Sequence, residues 1–309
     1  MKSFHAYRND FFELYSEGKI ARALNLADEI EVAYPDMAYK TKFWKARLYS
    51  VINEKALAIK ALQEMNNMGY WLSPSVLQRS SDLENIKEEP EFHEILNSFK
   101  ESQVEAMKHS APLKLEFVPS GSSQNKLPLI VTLHWRLGNA EEFSAFWKGA
   151  AQSGKARVLS LQSSQQAGTA LYCWDNVEIS KKEVSEQVEE YLGIHSSKIS
   201  QLILSGASQG ARLAFELAFE GELTPEKLVL VAPAFRDMDY ARELIEKRKG
   251  NFKIYIIIGE KDRLFFKNAN SIKEMLAENN IPCEMKVYPN MGHTFPDDFD
   301  KVLLDILDE

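Results

Sequence analysis

Ten consecutive residues, Leu202-Ile203-Leu204-Ser205-Gly206-Ala207-Ser208-Gln209-Gly210-Ala211, constrain this chain more than any other stretch. An apolar run suited to a buried strand leads directly into G-x-S-x-G, and helical periodicity starts on the far side. A strand that reverses into a helix within so few residues brings the backbone close to itself, so the flanking positions must be small. Gly206 and Gly210 flank Ser208 at minus two and plus two, and Ala207 and Ala211 add almost no volume. Gly210, Ala214 and Ala218 then recur every four residues, which leaves one flat helix face able to press on a sheet. Strand, tight bend and helix therefore agree on one geometry, with a serine hydroxyl held at the top of the bend.

The rest of the C-terminal region repeats the alternation. Leu113–Val118, Leu129–Leu133, Arg157–Leu161, Leu202–Leu204, Leu228–Val231, Ile254–Ile258 and Met285–Tyr288 read as strands. Several are apolar throughout, as expected of parallel strands covered on both faces. Asn139 followed by Glu142 is a capping pair for a helix through Phe143, Phe146, Trp147 and Ala150. Further helices are expected over about 177–192, 209–221, 237–249, 267–280 and 297–308. This alternation predicts a doubly wound, mostly parallel α/β sheet with its ligands at the carboxyl ends of the strands.

Residues 4 to about 107 have a different texture, helical with few strand-like runs. Gly18, Ala23, Ala27 and Ile30 are followed 35 positions later by Asn53, Ala58, Leu62 and Met65, and Phe11 and Ala46 obey the same offset. Pro35 stands where the first unit should stop. The period resembles that of tetratricopeptide repeats, although ordinary helical-hairpin packing accounts for the same spacing. Two such units bury little core, so they should lean on the following domain or on a helix starting near Pro90. The division expected is an all-α helical-repeat domain over 1–110 and an α/β domain over 111–309.

Bulk properties narrow the partners. The chain of 309 residues is 45% hydrophobic and 27% charged with a net charge of −8, a composition of ordinary globular proteins. No basic stripe offers a nucleic-acid surface. No apolar run approaches membrane-spanning length, and the N-terminus lacks the apolar core of a signal peptide, so a cytoplasmic protein is expected. Cys173 and Cys283 stand far apart without ligand spacing, which argues against a disulfide framework or a zinc site.

A serine hydroxyl needs a base to take its proton, and the base needs an acid to hold its tautomer. Of six histidines, only His293 follows the last expected strand, in the loop Asn290-Met291-Gly292-His293-Thr294-Phe295. The acid should lie between serine and base in chain order. Asp262 lies three residues beyond Gly259 at the end of the Ile254–Ile258 strand, and Glu260 is its rival. An oxyanion needs two donors, each worth roughly 2.7–4 kcal/mol. The backbone N–H of Gln209 is one, and the loop His134-Trp135-Arg136-Leu137-Gly138 should supply the other. His134 itself reads as a structural residue of that loop.

Residues 127–309 resemble the α/β-hydrolase superfamily, and within it the phospholipase/carboxylesterase branch that includes acyl-protein thioesterases. The resemblance rests on Leu133-His134, Gly206-Ala207-Ser208-Gln209-Gly210, Gly259-Glu260-Lys261-Asp262 and Gly292-His293, in that order. It implies an α/β-hydrolase fold, and it places the second oxyanion donor on the backbone N–H of Arg136. It also implies a serine esterase or thioesterase that needs no metal or organic cofactor and acts on a small-molecule ester or thioester. Trp135 departs from the family, which has glycine there, so the loop runs differently or the pocket is reshaped. Trp135 and Phe265 are each either walls of a substrate pocket or packing residues. Peptidase chemistry on the same triad is one alternative. A non-catalytic scaffold whose helical repeats bind a protein partner is the other.

Overall fold

The computed structural model describes residues 2–120, 126–247 and 251–309. The chain divides into two compact units, Met1–Ser110 with Gln166–Ala170, and Ala111–Gln165 with Leu171–Glu309.

The first unit is helical: α1 Phe4–Ser16, α2 Ile20–Ala33, α3 Ala38–Val51, α4 Lys55–Asn67, α5 Pro74–Gln78 and α6 Pro90–Met107. The 35-residue offset is physical. Phe11, Ala23, Ala27 and Ile30 are buried, and so are Ala46, Ala58, Leu62 and Met65, their counterparts one offset later. Gly18 takes a left-handed φ of 72°, and Asn53, its counterpart, takes 62°. Asparagine tolerates this region better than other side chains, so it serves the same helix-ending turn as glycine. The turn's hydrogen bonds repeat as well: Gly18 N–H to Tyr15 O and Lys19 N–H to Leu14 O, then Asn53 to Ser50 and Glu54 to Tyr49. α1 packs on α2, α3 on α4, and α6 on α4. The segment 166–170 contains the short strand β4, Gln166–Gly168, and joins this unit through Ser73 N–H to Ala167 O and Thr169 N–H to Trp71 O.

The second unit has the α/β-hydrolase fold. Its strands are β1 Leu113–Phe117, β2 Leu127–Leu133, β3 Arg157–Gln162, β5 Leu171–Tyr172, β6 Ile199–Ala207, β7 Lys227–Val231, β8 Lys253–Gly259 and β9 Cys283–Tyr288. Seven of them, among the described residues, form one sheet in the order β1-β3-β2-β6-β7-β8-β9. Only β1 runs antiparallel to its neighbour. The helices are α7 Ala140–Ser144, α8 Lys148–Gln152, α9 Val177–His195, α10 Gln209–Glu220, α11 Met238–Lys247, α12 Phe266–Glu278 and α13 Phe299–Asp308. Each strand read from the sequence appears in the sheet, and β4 and β5 lack an apolar run that would announce them. The helix expected over 237–249 is seen to Lys247, and positions 248–249 lie outside the described residues.

The all-apolar strands are explained by two cores. Leu129, Val131 and Leu133 of β2 and Ile254, Ile256 and Ile258 of β8 face one core, with α9, α10, α11 and α12. Ile130, Tyr255 and Ile257 face the other, with α7, α8 and α13. One expectation needs correction. The helix through Phe143 and Trp147 is broken into α7 and α8 by the turns Phe146 N–H to Phe143 O and Trp147 N–H to Ser144 O. These three-residue turns bring Phe143 and Phe146 round to a shared aromatic partner, Phe295.

After β2 the chain adds β3 on one side and then crosses to β6 on the other. The carboxyl ends of β2 and β6 thus form the switch point of the sheet, where an open α/β sheet leaves a crevice.

Candidate active site

Ser208 joins β6 to α10 at φ 53°, ψ −114°, a conformation that L-residues seldom adopt. It is held by Ser208 N–H to Val231 O, while its own carbonyl accepts from Ala234 and Arg212. The surrounding glycines act by close approach. A Cβ on Gly210 would lie 2.1 Å from the carbonyl oxygen of Leu133, and one on Gly206 would lie 2.7 Å from the carbonyl carbon of Gly210. The elbow is therefore pressed against the end of β2, and side chains are excluded there.

The loops after β8 and β9 meet in the same way. A Cβ on Gly259 would stand 2.0 Å from Met291 O, and Lys261 N–H bonds that same carbonyl. Gly259 has no left-handed φ among the residues that do, so contact between loops requires it rather than the turn itself. Gly292, by contrast, has open space where a Cβ would stand.

These loops bring three side chains together. His293 Nε2 is 2.8 Å from Ser208 Oγ, and His293 Nδ1 is 2.6 Å from Asp262 Oδ2. Asp262 is 2% exposed, and its Oδ1 accepts from the N–H groups of Leu264 and Phe265. Both oxygens of that carboxylate are thus committed, one to the imidazole and one to its own loop. Glu260 is exposed, and its N–H bonds Tyr288 O. Phe265 is buried, with its ring 5.3 Å from that of His293 and the Arg236 guanidinium 5.9 Å from its centroid on the other contact.

Gln209 opens α10, so its N–H has no acceptor within the helix. Among the described residues, neither that group nor the N–H of Arg136 makes a hydrogen bond. The loop after β2 accommodates Trp135 because its left-handed residue is Leu137, at φ 60°. The Trp135 ring packs against Phe143, Phe146 and Phe295 at 5.1, 5.5 and 6.1 Å. Gly138 is the residue that makes room for it, since a Cβ there would meet Trp135 Nε1 at 2.9 Å. Leu137 N–H to Tyr172 O and Tyr172 N–H to Gly138 O tie the loop to β5.

His134 lies fully buried beneath this loop. Nδ1–H donates to Trp135 O at 2.8 Å, Nε2 accepts from Ser163 N–H at 3.4 Å, and the ring stacks on Trp174. Burial pushes its pKa down to about 4, so the ring is neutral near pH 7 and cannot be protonated without desolvating a charge.

Asp175 carries no motif, yet it is bound to two of the expected site residues. Its carboxylate accepts from Arg136 Nε at 3.0 Å and Nη2 at 2.9 Å, and from Gln209 Nε2 at 2.8 Å. Its partners lie 39 and 34 positions away, so only the Trp174-Asp175 dipeptide after a short strand could have drawn notice.

Residues 152–303, which include Ser208, Asp262 and His293, match the family model described as "Dienelactone hydrolase family". No curated protein matches the chain. A crystal structure of an uncharacterized protein from Bacillus cereus ATCC 10987 is similar at 22% identity, covering 99% of this chain and 98% of that one, with a TM-score of 0.55. That likeness spans both units. Esterase PE8 is similar at 14% identity and TM-score 0.55, covering 64% of this chain and 97% of its own. Zea mays acyl-protein thioesterase 2 is similar at 16% identity and TM-score 0.50, with 63% and 99% covered. Among the described residues, no helix is long and apolar enough to cross a membrane.

Proposed function

We propose that this chain is a serine hydrolase cleaving carboxylic esters or thioesters. Ser208 attacks the carbonyl, His293 takes its proton and later returns it to the leaving group, and Asp262 holds the His293 tautomer. The backbone N–H groups of Gln209 and Arg136 receive the oxyanion, and Phe265 and the accessible edge of Trp135 border the acyl group. Water then attacks the acyl-enzyme on the same base.

One observation carries this reading: a serine in a strained backbone conformation lies 2.8 Å from an imidazole whose other nitrogen is 2.6 Å from a buried carboxylate. A strained turn, an imidazole and a buried carboxylate in series match the demands of nucleophilic activation. The helical hairpins with their 35-residue offset support a tetratricopeptide-like role in binding a protein partner.

The test is labelling of the full chain by a fluorophosphonate. The wild type should react and Ser208→Ala should not, with p-nitrophenyl acetate turnover falling at least about 10³-fold in that variant. A wild type that neither labels nor turns over esters, thioesters or peptide amides would make the fold a scaffold. Cleavage of amides alone would make it a peptidase.

A further inference from the structure

We propose that Asp175 is a positioning residue that aligns both halves of the oxyanion site at once, an inference that rests on the hydrolase reading above. Its carboxylate is bonded both to Gln209, whose N–H is one proposed donor, and to Arg136, whose N–H is the other. A planar carboxylate facing a guanidinium through two parallel hydrogen bonds restricts rotation as well as distance. The same Oδ1 that accepts from Arg136 Nε accepts from the Gln209 amide, so displacement of either residue is felt by the other.

The loop that carries Asp175 is pinned on every side. Cys173 N–H donates to Gln165 O at 3.0 Å, and Asn176 N–H donates to Gln165 Oε1 at 2.6 Å. Trp174 N–H donates to Gln209 Oε1 at 2.9 Å, and Trp174 Nε1–H donates to His134 O at 2.8 Å. The Gln209 amide thus receives from Trp174 and donates to Asp175, and its orientation is determined by both. Because α10 begins at Gln209, a fixed side chain there also fixes the first N–H of the helix.

A half-exposed ion pair contributes little to folding, with side-chain exposures of 29% for Arg136 and 32% for Asp175. Its value here is geometric. An asparagine at 175 has the same outline but presents an NH₂ where Arg136 Nη2 needs an acceptor, or else one where Gln209 Nε2 and Arg136 Nε need one. No orientation of the amide satisfies all three donors.

The experiment measures p-nitrophenyl acetate turnover, inhibition by phenylboronic acid and thermal melting for the wild type, Asp175→Asn, Asp175→Glu and Arg136→Lys. Removing one oxyanion donor costs about 10²–10³-fold in kcat, so misaligning donors should lower kcat by about 10–100-fold in Asp175→Asn. KM should stay within about 2-fold, and the boronate inhibition constant, which reports the tetrahedral adduct, should rise in step with the loss in kcat. Asp175→Glu keeps the charge and should recover part of the rate. Arg136→Lys, at a partly exposed position, carries the same expectation if Asp175→Asn fails to fold. Unchanged kcat and boronate affinity in both variants would overturn the inference, as would a loss confined to KM and melting temperature. The two levels separate cleanly: a wild type that does not react with fluorophosphonate refutes the hydrolase reading, and the inference with it. A reactive wild type with indifferent variants refutes the Asp175 role alone.

Discussion

The elbow at 206–210 and the loop at 134–138 stand side by side at the carboxyl ends of β6 and β2, yet they are built by different means. The elbow makes its close approach with its own residues: two glycines within five residues allow the backbone to touch the end of β2, and the strained Ser208 is carried between them. The loop is held from outside by Tyr172, Ser163, Trp174 and Asp175, residues 29 to 40 positions away. A local device fails when one of its own atoms is changed, whereas a distributed one yields by degrees.

Gly210→Ala should have the largest effect on stability, because the new methyl carbon would fall 2.1 Å from Leu133 O and 2.6 Å from His134 O, both backbone atoms. We expect a loss of about 3 kcal/mol or more in urea unfolding, against no comparable change in Gly292→Ala, where the space is open. A loss under about 1 kcal/mol would show that the elbow can spread and would remove its side of the contrast.

His134 probes the loop's buried support through pH. The folded ring holds off protonation to about pH 4, whereas the unfolded ring binds a proton near 6.5. Between those values the unfolded state carries more protons, so the stability contributed by keeping His134 neutral is full above 6.5, declines as the pH falls, and is gone below 4. The difference is about 3 kcal/mol. Urea midpoints measured from pH 7.5 to 4 should drop more steeply for the wild type than for His134→Asn. Parallel curves would place the acid sensitivity elsewhere.

Gly138→Ala should fall between Gly210→Ala and Gly292→Ala. Its nearest obstacles are Trp135 Nε1 at 2.9 Å and Cδ1 at 3.0 Å, side-chain atoms that can turn aside, with Trp135 O at 3.1 Å behind them. A cost of about 1 kcal/mol is expected by thermal melting, clearly below that of Gly210→Ala. Equal costs at the two glycines would erase the distinction between a backbone obstacle and a movable ring.

The same contrast separates what could be read in advance from what could not. The strands of the large sheet, the Asn139–Glu142 cap and the small residues of the elbow are legible because each depends on neighbours within a turn or two. The Asn139 side chain does accept from Glu142 N–H, at 2.8 Å. The break between α7 and α8 was not legible, because Phe295 lies over 140 residues from the aromatics that turn toward it. How the loop accommodates Trp135 is not legible either, because nothing in the local sequence announces that Leu137 takes the left-handed φ.

By itself the order of residues determined a helical region followed by an α/β sheet, and a serine in a bend too tight for side chains, since periodicity, small residues and capping act over a few positions. Only the tertiary structure decided that His293 bonds Asp262 while Glu260 stays exposed, that Phe265 lies against the imidazole, and that Asp175 binds Arg136 and Gln209 together. Those pairings span 28 to 39 residues or join separate loops, and they exist because the strand order β2-β6-β7-β8-β9 lines up the carboxyl ends from which the loops emerge.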